Sequence, residues 1–265
     1  MSGHTIHIGV GGWTFAPWRG VFYPEGLVQK NELGYMASQL NSVEVNGTFY
    51  GSQKPETFAK WASEVPEGFV FSLKGPRFAT NRKVLGEAGE SIRRFVEGGI
   101  AELGAALGPI NWQLAATKRF DPEDFGAFLA LLPDSVEGLK LRHAVEVRHE
   151  SFAVPEAVEL ARRHTVALVV AGDSKFPTIP DITADFVYLR LMGTTEDHPA
   201  GYGEDDITRW AGRLKDYAAG HMPEGLPAIA GPAEPGARDV FCYVISGAKD
   251  RNPLAAKGLT DAGGS

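Results

Sequence analysis

Two short runs in this chain carry carboxylates at matching positions: SVEVN at 42–46, with Glu44, and AVEVRH at 144–149, with Glu146. In an extended chain Val43 and Val45 share one face while Glu44 and Asn46 share the other, and Val145 and Val147 are opposed in the same way to Glu146 and Arg148. Two strands thus aim carboxylates at one place. A carboxyl beside another carboxylate has its pKa raised, and one beside a cation is held ionised, which is the division of labour that general acid and base chemistry needs. Glu44 and Glu146 are therefore the candidate reacting groups, with His149, just past the second run, as a candidate proton shuttle. Lys74, Arg148 and Arg190 suit the clamping of a carboxylate or phosphate. Asn46, Gln113 and Asp173 add polar contacts near strand exits, and Trp13, Tyr50 and Tyr202 offer flat faces for a sugar or base. Phe15 and Trp18 read instead as loop packing.

Each of these residues also has a plainer use. Glu44 and Glu146 neutralised by Lys74, Arg148 and Arg190 would make a structural plug, with Asn and Gln filling gaps. Against a plug stands the cost of burying so many charges for stability alone. Glu44, Glu146, His149 and Asp173 form a mixed oxygen and nitrogen set of the kind Mn²⁺ or Zn²⁺ takes, but the cationic neighbours compete for the same carboxylates, and His149-Glu150 lacks the second histidine of a zinc-binding helix. A divalent metal is thus not the favoured reading. His143 and His164 read as surface residues.

The elements that must position these groups follow from the hydrophobic period. Strand-like runs fall at 5–10, 42–46, 69–74, 110–114, 144–149, 166–171, 185–191 and 240–245. Between them lie helical patterns at 31–40, 55–64, 89–107, 122–132, 155–164 and 205–219, several opened by Pro or, at Asp121, by an N-capping side chain. Strand and helix in alternation over 265 residues predict an α/β fold, a single (β/α)8 TIM barrel with a polar pocket at the C-terminal face of the strands. An open doubly wound sheet is the runner-up, but Gly9-Val10-Gly11 lacks the third glycine of the dinucleotide fingerprint. We expect one domain over 1–265, its core at about 5–258 and a frayed tail after Leu259.

A formal charge of −7 and a pI near 5.5 set the whole-molecule field against nucleic acid and anionic membranes. One cysteine, Cys242, excludes an internal disulfide and suits a reducing cytoplasm. No run approaches the roughly 20 apolar residues of a membrane span, so a cytoplasmic location without membrane contact is expected.

Six ordered motifs, Gly11 to Trp13, WRGVFYP at 18–24, VEVNGTFY at 43–50, LKGPR at 73–77, VEVRH at 145–149 and FVYLR at 186–190, resemble the YecE-like family, domain of unknown function 72. The resemblance runs from about Ile6 to Leu254. It implies a TIM barrel of bacterial or archaeal cytoplasm and supplies no reaction. The chain departs from the family pattern at Gly47, where relatives carry Ser, at Met192, where they carry His, and at Val244 to Ala248, where they have an Asn-rich turn.

The leading expectation is an uncharacterised TIM-barrel protein that binds or turns over a small polar ligand, sugar-like or phosphate-like, by carboxylate acid/base chemistry, as a hydrolase or isomerase. One alternative is a nucleic-acid-binding protein or endonuclease-IV-like phosphodiesterase, motivated by the basic loop of Lys74, Arg77, Arg82 and Lys83 and disfavoured by net charge. The other is a non-catalytic metabolite-binding protein. Site and plug separate on Glu146→Gln: a poised site residue leaves stability unchanged or slightly raised, which is our expectation, whereas loss of a buried partner of Arg148 or Arg190 costs roughly 3–5 kcal/mol.

Overall fold

A computed structural model describes residues 4–264. Eight parallel strands form its centre: β1 (Ile6–Gly11), β2 (Ser42–Val45), β3 (Val70–Lys74), β4 (Leu107–Gln113), β5 (His143–Glu146), β6 in two pieces (Ala167–Leu168 and Val170–Gly172), β7 (Phe186–Leu191) and β8 (Asp239–Val244). Each strand pairs with the next in sequence, and β8 returns to pair with β1, so the ladder runs round a barrel. The sixth strand breaks at Val169, whose N–H still reaches the Val145 carbonyl at 3.0 Å. This is the TIM barrel that the alternating pattern predicts, and the pairing of β8 with β1 is what separates it from an open doubly wound sheet.

The helices follow in order: α1 (Glu32–Gln39), α2 (Pro55–Ser63), α3 (Gly89–Val96), α4 (Pro122–Ala130), α5 (Pro155–Arg163), α6 (Glu204–Ala218) and α7 (Asn252–Leu259). Asp121 caps α4 as expected, its carboxylate accepting the N–H groups of Glu123 and Asp124 at 3.0 and 3.1 Å. Val43, Val45, Phe71, Leu73, Trp112 and Val145 point outward into one continuous apolar layer with Phe58, Ile92, Phe125 and Phe128 of the helices. Burial of that layer is what holds sheet to helix. No helix among the described residues is long and apolar enough to cross a membrane.

Three local expectations change. The helix expected over 89–107 stops at Val96, and Ile100–Ala106 forms a 3-10 stretch. Gly99 lies between them with a φ of 101°, and a Cβ there would meet Pro55 at 2.6 Å, so the break lets the chain close on the start of α2. The sequence offers no helical pattern between β6 and β7, and residues 173–185 return to the start of β7 as irregular chain, Thr183 Oγ1 donating to the Val166 carbonyl at 2.8 Å. The tail expected to fray winds on from α7 as a π turn over Thr260–Gly264, where the Ala262 carbonyl accepts from Lys215 Nζ at 3.3 Å. His143, expected at the surface, is buried: Trp112 Nε1 donates to its Nδ1 at 3.0 Å, which leaves the proton on Nε2 to be donated to the Pro133 carbonyl at 2.8 Å.

Inside the barrel the side chains change character along the strands. Val70, Ala144, Ala167, Phe186 and Phe241 fill the N-terminal end, with Tyr188 and Tyr243 above them. One further layer up come Glu44, Lys74, Glu146 and Arg190, all buried. Gly9 makes room for the closing of β1 on β2, since a Cβ there would lie 2.1 Å from the Ser42 carbonyl oxygen. We expect Gly9→Ala to destabilise the fold by about 1–3 kcal/mol in urea titration, as overpacking against backbone does. Gly212, exposed within α6 with open space around it, should behave oppositely, Gly212→Ala gaining about 0.5–1 kcal/mol of helix stability. Equal midpoints for the two variants would contradict the close-approach argument.

Candidate functional site

Glu44 ends one inward row of β2, Glu146 closes β5, and Arg190 occupies the same level on β7 between them. Arg190 joins the two carboxylates: its Nη2 donates to Glu44 Oε1 at 2.9 Å and its Nη1 to Glu146 Oε2. The second oxygen of each carboxylate is also taken. Glu44 Oε2 accepts from the Tyr188 hydroxyl at 2.7 Å and from Asn111 Nδ2 at 3.3 Å, while Glu146 Oε1 accepts from Arg148 Nε at 2.6 Å. Gln113 Oε1 then accepts from Arg148 Nη2 at 2.9 Å and from Arg190 Nη1 at 3.3 Å. Both glutamates have no exposed surface.

Burial by itself pushes the Glu44 carboxyl up. Arg190, Lys74, Tyr188 and Asn111 together outweigh burial and hold it below the usual carboxylate range. Burial opposes the charge on Arg190 as well, but Glu146 and Glu44 more than compensate, and the guanidinium stays protonated. Tyr188 is pushed upward by burial and by Glu44, so it remains a neutral donor to that carboxylate. Lys74 differs from these. Burial and the guanidinium of Arg190 depress it more than Glu44 and Glu146 raise it, with a pKa of about 8.

Above this layer opens a cleft of about 730 Å³ at the C-terminal ends of the strands. Lys74, Arg148, Arg190 and Lys249 line it, and among the described residues no aspartate or glutamate does. Trp13, Phe49, Tyr50 and Trp61 form its aromatic side, with Trp13 edge-on to Trp61 at 5.1 Å between centroids. A helical turn directly after β2, Gly47–Tyr50, sets two of these rings: Thr48 Oγ1 donates to the Lys74 carbonyl at 2.7 Å, Phe49 is turned beneath the Lys74 ammonium at 4.5 Å, and Tyr50 is left exposed. Arg148 lies 4.4 Å over the ring of Phe176, so the helix-free segment after β6 pins a guanidinium at the opening.

Among the residues expected from sequence, Trp13, Asn46, Tyr50, Lys74, Gln113, Arg148 and Arg190 come together around the cleft. Five others do not line it. Glu44 and Glu146 lie beneath the floor with all of their carboxylate oxygens bonded to protein groups and none facing the cleft, where the sequence reading has them as the reacting groups. His149 caps a short turn, its Nδ1 accepting from the Ser151 N–H at 3.1 Å. Asp173 accepts from Trp210 Nε1 at 2.6 Å, and the Tyr202 hydroxyl accepts from the Gly193 N–H at 3.1 Å. The mixed metal set of Glu44, Glu146, His149 and Asp173 therefore does not converge, and among the described residues no three His, Cys, Asp or Glu side chains do. Phe15 and Trp18 pack loop against loop, the Trp18 indole donating to the Lys249 carbonyl at 2.8 Å.

Sequence reasoning missed Gln53, Lys249 and Asn252. The last two lie beyond β8, after a turn with Ser246 and Gly247 at positive φ. A polar residue soon after each strand end was the available signal, and Lys249 and Asn252 carry it. Asn252 is fixed there by Thr194 Oγ1, which donates to its Oδ1 at 2.7 Å.

The family described as "Protein of unknown function DUF72" matches residues 7–264. The UPF0759 protein YecE of Escherichia coli K12 is 29% identical over 147 residues, 56% of this chain and 50% of that protein, so the chain spans about half the length of the curated relatives it matches. A DUF72 protein of Thermotoga maritima superimposes with a TM-score of 0.74 at 22% identity, over 97% of this chain and 98% of that one. A DUF72 protein of Enterococcus faecalis V583 gives 0.70 at 16%, over 97% and 95%. At these identities the structural likeness bears on the fold.

The ion pairs replace the expectation that Glu146→Gln is neutral. An amide in place of this carboxylate leaves the guanidiniums of Arg148 and Arg190 with one fewer counter-charge in a buried layer, and a loss of roughly 3 kcal/mol is expected from the urea midpoint. An unchanged midpoint would show that the Glu146 charge contributes nothing to the fold.

Proposed function

This chain belongs to the DUF72 family, and from that premise we propose that the cleft at its barrel mouth binds a small polar ligand carrying a phosphate or carboxylate group. One observation carries the reading: in a protein of formal charge −7, the cleft is lined, among the described residues, by four cationic side chains and no acidic one. Three cations at its floor face two carboxylates that lie below it, so the excess positive charge is directed upward, where a ligand enters. Arg148, anchored through Nε to Glu146 and through its face to Phe176, presents the rest of its fork to an anion in a set orientation. Gln113 accepts with its Oε1 and has its NH₂ left to donate. Lys74 adds charge from the opposite side.

The aromatic side suggests what else the ligand carries. Trp13 and Tyr50 offer faces on which a sugar ring or base can lie while the anionic group sits on the cations. A sugar phosphate combines both features. The carboxylates act here at one remove: they hold the guanidiniums in place and keep them from repelling one another, so proton transfer in any turnover falls to another group.

Titration calorimetry with glucose 6-phosphate, glucose and inorganic sulfate tests this reading. Binding is expected for the two anions and not for glucose, with Arg148→Met weakening it roughly 10- to 100-fold, as loss of a charge-assisted hydrogen bond does. Sulfate keeps its charge across pH 7 to 9, so it reports on the protein alone. Lys74 changes from cation to neutral amine through a pKa of about 8, hence sulfate affinity should start to fall above about pH 7, be roughly halved at pH 8 and be down roughly tenfold by pH 9. Equal binding of glucose and its phosphate would overturn the anion reading. Tighter, steeply salt-dependent binding of duplex DNA would replace it with a nucleic-acid partner.

A further inference from the structure

Lys74 stands apart from the other cations of the cleft floor. Arg148 and Arg190 each donate to a glutamate, and Lys118, Lys140 and Lys257 elsewhere each pair with an aspartate. The Lys74 ammonium donates to no protein group among the described residues, although the residue is only 6% exposed. Its stem is fixed on β3, whose last residue it is, and Thr48 is bonded to its own carbonyl. Its head reaches the cleft over the Phe49 ring. Four charged groups face it: Arg190 of β7 and Arg148 beyond β5 repel the ammonium, while Glu44 of β2 and Glu146 of β5 attract it from below without bonding to it; β4 and the turn after β2 present the uncharged Asn111 and Phe49.

Burial beside other cations is the arrangement that activates a lysine as a nucleophile, since it favours the neutral amine. The pKa of about 8 agrees with that environment. An unbonded, fixed amine beside an anion-binding fork is placed to react with a compound that has a carbonyl and an anionic group on one small frame.

We propose that Lys74 is a catalytic residue that forms an imine with the carbonyl carbon of a small aldehyde or ketone bearing a carboxylate or phosphate. The proposal rests on the anion reading above for the orientation of that compound. Lys74 first gives one proton to water. The lone pair of neutral Nζ then attacks the carbonyl carbon, the C–N bond forms, and the carbonyl π pair moves to oxygen, which takes a proton from nitrogen to give a carbinolamine. That hydroxyl accepts the proton returned by solvent and leaves as water while the nitrogen lone pair closes the C=N bond. Ammonium and carbonyl thus become iminium and water, with one positive charge before and after. Glu44 and Glu146, beneath the new cation, balance it as they balanced the ammonium.

Borohydride trapping tests this on the full chain. The protein is incubated separately with pyruvate, dihydroxyacetone phosphate and uncharged propanal, reduced with sodium borohydride, and analysed by intact mass and peptide mapping. A single reduced adduct at Lys74 with pyruvate or dihydroxyacetone phosphate is expected, suppressed by inorganic sulfate and rising between pH 7 and 9. The two probes separate a carboxylate-bearing substrate from a phosphate-bearing one. Loss of the adduct in Lys74→Arg is expected, and mapping of the unaltered protein locates the adduct even where that variant fails to fold. Labelling of surface lysines with Lys74 unmodified by all three probes would overturn the proposal. Equal labelling of Lys74 by propanal, without competition by sulfate, would support the reactive amine and sink the anion reading instead.

Discussion

The guanidinium of Arg190, held between Glu44 and Glu146, is the contact on which the rest of the site depends. Two carboxylates brought into one dry layer repel each other and lose their water, and each alone would take up a proton sooner than stay charged there. A planar fork with donors on two sides satisfies both. Once the carboxylates are ionised they can hold further cations, and Arg148 is the one that emerges above them. Remove the central guanidinium and the two glutamates lose the one cation they share, with only Tyr188 and Asn111 left on Glu44 and Arg148 left on Glu146.

The consequence is a vertical ordering of charge. Tyr188, donating to Glu44 from the layer below, closes the network on the side of the aromatic core, so no acidic oxygen is left to face upward. What reaches the cleft is the positive residue of the balance. A buried ionic layer seldom improves stability over an apolar one of equal volume. Site and plug are two aspects of one layer here: ion-paired below, cationic above where it meets the cleft.

Irregular chain completes the opening. Residues 173–185 stand where other connections place a helix, and Phe176 within them covers Arg148. A helix packed outside the barrel would leave that guanidinium free to swing into water. The turn after β2 does the same for Lys74 through Phe49. In both cases a loop side chain fixes the direction of a cation whose strand fixes only its origin, which is how a barrel with an ordinary strand pattern acquires a specific mouth.

Strand and helix alternation, the outward phase of Val43, Val45 and Val145 and the inward phase of Glu44, Lys74, Glu146 and Arg190 were all determined by the sequence itself, because a period of two allows each side chain only one of two faces. From that phase the barrel and the contents of its upper layer follow. The Gly98-Gly99 pair marked a helix stop, but the close approach to Pro55, far away in the chain, that requires a glycine at 99 was not legible. Nor was the depth of Glu44 and Glu146. Period assigns a face and says nothing of which partner bonds which oxygen, so the same carboxylates were open to reading as reacting groups until Tyr188, Asn111, Arg148 and Arg190 were placed around them. His149, Asp173 and Tyr202 had suitable chemistry and the wrong direction, each turned aside by a local bond to Ser151, Trp210 or Gly193. Tertiary structure alone decided these matters, because hydrogen bonds between strands that are distant in sequence depend on distances of a few ångströms that no spacing along the chain encodes.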